Sequence, residues 1–290
     1  MSASTNDLAL TRPPAARLLP AVVGVRLAPA LAVLVLLFFA IAAVQPSLLT
    51  GGDPLAIDLQ AALQPPSLEH PLGTDPSGRD LYTRVLYGAR QSLLIGLGAT
   101  ALAMGIALVL GFASGLGGRL ADAVIGRVLE VAFAFPMLLL ALLLVTVRGP
   151  SVSTQVLAVG IGIAPGYARM VRGQVLAVRH TGYVEAAHAM GHSRWRVVRR
   201  HVFPNAMRPL VAVATLGVGQ AIVWASGLAF LGMGVAPPSP EWGALLDAGR
   251  IYITTSWWLE VMPGLAIVLV ALAVTTLGRA AQGRLEGASR

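Results

Sequence analysis

The sequence predicts an all-α membrane protein with six transmembrane helices and both termini in the cytoplasm. Three observations carry this. The 290 residues are 56% hydrophobic and only 12% charged, about half the charge of a soluble domain, and the mean hydropathy is +0.74. Six apolar runs are each long enough to cross a ~30 Å hydrocarbon core, which takes about 20 helical residues. The arginines fall overwhelmingly on one side of those runs.

The spans are predicted at about residues 27–45, 91–116, 129–148, 151–170, 209–230 and 261–280. Each must be helical, because lipid offers the backbone no hydrogen-bond partner. The first has an apolar core too long for a signal peptide and 26 residues before it, so it reads as an uncleaved anchor. Pro136 and Pro165 lie inside spans and predict kinks or local unwinding. In the second span Gly111 and Gly115, with Gly96 and Gly98, permit close helix packing.

An even number of spans puts both ends on one side, with tails at 1–26 and 284–290. Sixteen arginines fall on that side and five (Arg79, Arg84, Arg90, Arg148, Arg250) on the other. The positive-inside rule makes the richer side cytoplasmic. Eight of the thirteen acids lie on the outer side. The net charge of +8 is therefore a topology signal and counts against a nucleic-acid partner.

The chain has no cysteine, and all 21 basic residues are arginine. That removes disulfides, thiolate metal sites, a Walker lysine and a Schiff base. If ATP is used, another chain binds it. The span interiors carry no ionisable group of the kind a gradient-driven transporter keeps there; Glu130 and Glu260 sit at span edges. No His-Glu-x-x-His or Gly-x-Ser-x-Gly motif is present. His188 and His192 are spaced i, i+4, but no carboxylate stands at the spacing that would complete a metal site.

The longest polar connection, about 169–208, contains "EAAHAMGHSRWRVVRRHVFPN" from Glu185 to Asn205. Thr181 is placed to N-cap a short helix beginning near Gly182, with Glu185 in the favourable first turn. Ala186, Ala187 and Ala189 keep that helix slim, and Gly191 permits a sharp turn. A second helix is predicted over 193–203, with Trp195, Val198 and Val202 on one face and Pro204 ending it. Two readings stand side by side: a compact plug for a groove in another protein, or a basic amphipathic helix on anionic lipid.

This stretch resembles the "EAA" loop of ABC-type importer permeases: Glu-Ala-Ala, three residues, Gly, nine residues, then Ile-x-Leu-Pro. Here it reads Glu185-Ala186-Ala187, Gly191, then His201-Val202-Phe203-Pro204; His201 and Phe203 depart from the general pattern. Arg200-His201-Val202-Phe203-Pro204-Asn205 is similar to the peptide/nickel branch. So are "HPLGTDPSGRDLYTRVLYGARQSLLIG" (70–96), "PGYARMVRGQVLAVR" (165–179), "ASGLAFLGMGVAPPSPEWGALLDAGR" (225–250) and "PGLAIVLVALAVTTLGRAAQGRLEG" (263–287). The likeness runs from about residue 65 onward; residues 1–26 lie outside it.

The resemblance implies a type I importer permease in a prokaryotic plasma membrane, moving dipeptides or oligopeptides, or else nickel, glutathione or another small solute. It implies no catalysis and no cofactor in this chain, with ATP and Mg bound by two partner ATPase subunits. Tyr183, Glu185, Ala186, Ala187, Ala189, Met190, Gly191, Arg194, Trp195 and Pro204 are implied to dock those subunits. A second permease would complete the pathway. An extracytoplasmic substrate-binding protein would meet the loops near 45–90 and 232–260, the latter stiffened by Pro237, Pro238 and Pro240. A gradient-driven transporter and a non-transporting scaffold are the rival classes.

Overall fold

The computed structural model describes residues 19–287, with side chains described over 27–283. The predicted tail at 1–26 and the C-terminal residues from 284 therefore fall largely outside them. Helices lie over all six predicted stretches: α1 (Leu19–Val44), α2 (Leu81–Leu116), the pair α3 (Gly118–Ala134) and α4 (Met137–Arg148), α5 (Val152–Arg179), α8 (Phe203–Leu228) and α10 (Trp258–Gly287). Shorter helices α6 (Gly182–Ala189) and α7 (Arg194–Val197) fill the polar connection, and α9 (Trp242–Gly249) sits at the opposite end. Among the described residues four helices are long and apolar enough to cross a membrane, or five if the bent α3–α4 pair is one span. α5 has the length but not the hydropathy, because Gln155, Tyr167, Arg169 and Arg172 interrupt its apolar run.

Local chemistry sets the helix starts. The Asp80 carboxylate accepts the Thr83 N–H at 2.8 Å, Ser151 caps α5, and Glu241 accepts the Gly243 and Ala244 N–H groups at the start of α9. The two internal prolines behave differently. At Pro136 the helix unwinds locally, leaving two helices 82° apart. The proline ring excludes the turn before it and removes a donor, and Phe135 is extended accordingly. At Pro165 α5 continues as one helix.

α2 packs most extensively against α5. At Gly111 and Gly115 an added Cβ would come within 2.6 Å of Val171 and of Val175, respectively. The predicted glycine pair is therefore a seat for the valines of α5, which is ordinary close packing. The core runs through this contact and continues to α8 and α10. Large apolar side chains such as Leu34, Leu97, Leu142 and Leu272 point outward, the arrangement for a chain whose solvent is lipid.

The residues opposite the polar connection form a tied cap. Phe39 of α1 meets Trp242 edge-on at 5.2 Å, and Trp258 Nε1 donates to the Thr74 carbonyl at 3.1 Å. Arg84 donates to the Pro238 carbonyl at 3.2 Å and lies 3.5 Å from Asp75. Arginines assigned to the outer side thus pair with acids and carbonyls of the same side.

Candidate functional site

The connection between α5 and α8 is an ordered prong. Arg179 anchors its entry by donating to the Gly115 carbonyl at 3.1 Å. Thr181 stands at the N-cap position of α6, but its hydroxyl donates back to Val178 O at 2.6 Å and caps nothing. The predicted Thr181 cap is corrected: the carbonyl one turn back is the nearer partner, and the free N–H groups of α6 are left to solvent or a docked chain.

α6 ends in a complete Schellman motif. His192 N–H reaches the Ala187 carbonyl at 3.2 Å and Gly191 N–H the His188 carbonyl at 3.0 Å, with Gly191 at φ +78°. The predicted turn at Gly191 is therefore present and has a backbone reason. Ser193 caps the following turn, its Oγ accepting from Arg196 N–H.

Burial sorts the prong's residues. Val184 and Ala187 are each 1% exposed and pack with Val197 and Val202 beneath the prong. Ala187, named as a docking residue, faces inward: it follows Val184 by three positions and shares its face. Tyr183, Glu185, Ala186, Ala189, Met190, Gly191, Arg194, Trp195 and Pro204 are exposed. Met190 at 69% and Trp195 at 72% are the most exposed large apolar side chains there. The proposed apolar face of Trp195, Val198 and Val202 is also corrected, because Val197 and Val202 are the residues that turn inward.

Pro204 does not end the second helix. The backbone widens into a π-turn over Val198–Val202 and runs on into α8, which Pro204 enters in its first turn. The wider turn accommodates a ring that would collide with the carbonyl one α-turn earlier. The Asn205 side-chain amide donates to the His201 carbonyl at 2.6 Å. The arginine run Arg194–Arg200 thus lies on a helical extension continuous with α8.

A second feature near this end escaped the sequence reading. Arg172 of α5 grips Asp122 of α3 through two bonds at 2.5 and 2.6 Å, and the Ser114 hydroxyl of α2 donates to the same carboxylate. Arg169 covers the Phe133 ring at 4.8 Å. Asp122 is the one carboxylate in the first half of α3, but nothing in its spacing to Arg172, 50 positions on, announces the pairing.

Residues 107–290 match the family described as binding-protein-dependent transport system inner membrane component. The probable D,D-dipeptide transport system permease protein DdpC of Escherichia coli (strain K12) is 44% identical over 226 residues, covering 78% of this chain and 76% of its own. The di/tripeptide transport system permease protein DppC of Pseudomonas aeruginosa (strain UCBPP-PA14) is 40% identical, covering 74% of this chain and 71% of its own. The glutathione transport system permease protein GsiD of Pectobacterium atrosepticum is 38% identical, covering 76% and 73%. Among solved structures, an inward-facing form of the MetNI methionine ABC transporter aligns with TM-score 0.59 at 18% identity, over 71% of this chain and 97% of that one. That likeness establishes the ABC importer permease fold. This chain accordingly belongs to the binding-protein-dependent transport system inner membrane component family, the multi-pass permeases of the bacterial plasma membrane.

Proposed function

We propose that this chain is one permease of an ATP-driven importer of short peptides, and that its prong over α6 and α7 is the coupling element held by a cytoplasmic ATPase subunit. The observation that carries this is the prong itself: a slim, rigid helix ending in a Schellman turn, with Met190 and Trp195 exposed and a continuous helical connection into α8. Relatives named for D,D-dipeptides, di/tripeptides and glutathione share short peptide cargo, which supports peptide over nickel.

In this reading six spans cross the membrane, α5 being the most polar, with both termini and the prong in the cytoplasm. A second permease completes the path, two ATPase subunits bind ATP and Mg, and a substrate-binding protein delivers cargo to the outer loops. This chain performs no chemistry. Its part is mechanical: closure of the ATPases displaces α6, the π-turn transmits the shift to α8, and the Arg172–Asp122 clamp carries α3 with α5. Glu185, in the first turn of α6, complements the helix dipole and offers a charge to the partner.

The test is co-purification and uptake. Deleting 185–191 should abolish dipeptide uptake and ATPase association while the chain remains inserted, and Gly191→Asp should weaken both. Normal uptake by both variants would refute the coupling role. Prong residues protected only by anionic vesicles, with no bound ATPase, would favour the lipid-surface alternative.

A further inference from the structure

On the reading of this chain as a peptide permease, we infer that Gln220 of α8, held in place by Tyr167 of α5, is a contact for the amide groups of the peptide as it crosses. Gln220 sits near the middle of a spanning helix. At 1.5 Å per residue it lies about 18 Å from Arg208 on one side and about 20 Å from Met233 on the other. Its side chain is exposed. A carboxamide facing hydrocarbon would leave two N–H donors unpaired, which lipid does not tolerate. This face of α8 therefore meets something polar.

The surroundings are shaped for a small neutral ligand. The Tyr167 hydroxyl donates to Gln220 Oε1 at 3.1 Å, which fixes the amide and turns its N–H groups outward; no described residue accepts from them. Gly217 makes this possible, since an added Cβ there would fall 2.5 Å from the Tyr167 hydroxyl. The groove in front of the pair has a volume near 650 Å³ and runs between α5, α8 and α10, within the size range of small-molecule sites. Trp224, 47% exposed, lies one turn outward and presents an apolar wall. No charged side chain lines the groove. A neutral donor pair beside an aromatic wall suits a peptide bond flanked by variable side chains, because it reads the amide that every peptide shares.

This chain has no native cysteine, so thiol labelling read on it reports the engineered position alone. In the full complex reconstituted in vesicles, Gln220→Cys should react with a charged, membrane-impermeant thiol reagent. Val211→Cys, half a turn round on the exposed opposite face of α8, should resist it. Dipeptide with binding protein and MgATP should slow the Gln220→Cys reaction. Gln220→Leu should lower dipeptide uptake about five- to tenfold, the range of one net hydrogen bond, while ATP hydrolysis stays within about twofold; Gln220→Asn should recover part of the loss. An unreactive Gln220→Cys, a rate that dipeptide leaves unchanged, or full uptake by Gln220→Leu would each overturn the inference. Failure of the unmodified complex to import any dipeptide would instead overturn the reading beneath it.

Discussion

Gly191 occupies the left-handed region at φ +78°, and the space a Cβ would enter is empty. Its requirement is conformational and not steric. Gly191→Ala should therefore destabilise the prong by about 1–2 kcal/mol, and Gly191→Asn by less, because Asn visits this region more readily. ATPase binding by the assembled importer should weaken in the order wild type, Asn, Ala; equal binding by all three would contradict it. Glu241, at the end opposite the prong, raises a different residue-scale question. Burial raises its carboxyl above the ordinary glutamate value of 4.5, against the pull of the Gly243 and Ala244 N–H groups and the Ser92 hydroxyl. The folded chain then binds that proton more tightly than the unfolded chain. The contribution is full below the ordinary value and is lost as pH rises through the raised one. Compared with Glu241→Gln, the wild-type melting temperature should fall more steeply from acid toward alkaline pH. The glycine's role was legible because Gly at a helix C-terminus has one dominant use. The burial of Ala187 was less so, since it depended on recognising that Val184, and not the alanine run, sets the inward face.

At the scale of elements, the α2–α5 contact depends on two absent side chains. Gly111→Leu would drive α2 off Val171 and should lower the melting temperature by several degrees, with the larger loss where both glycines are replaced. The α3–α5 clamp is partly exposed, its side chains 38% and 34% accessible, so its value lies more in geometry than in stability. Arg172→Ala should leave the fold intact and lower uptake per ATP hydrolysed; unchanged coupling would show that α3 does not follow α5. Helices over the predicted stretches and the short α6 could be read from apolar run length and the alanine-glycine pattern; the cap could not, because the Thr181 hydroxyl turns back to Val178 and caps nothing. The π-turn before Pro204 could not, because proline signals a helix end equally well and only tertiary packing of Val197 and Val202 keeps the helix going. The local unwinding at Pro136 was legible from the proline, but its 82° angle was not.

At the scale of the whole molecule, the end opposite the prong is tied by Trp242, Trp258 and Arg84, while the prong end is joined to the bundle through α5 and α8. In the proposed assembly, a partner that holds the prong acts on the bundle through α5 and α8. With 21 basic residues, all arginine, the chain carries no Walker A lysine. The most direct measurement is site-specific cross-linking in the assembled complex, which the lack of native cysteine allows. Met190→Cys and Ala186→Cys, on the exposed face of α6, should each cross-link to an ATPase subunit, and nucleotide should change the yield; Ala187→Cys should not react. Met190→Cys and Ala186→Cys that join no ATPase subunit in any nucleotide state would contradict the account.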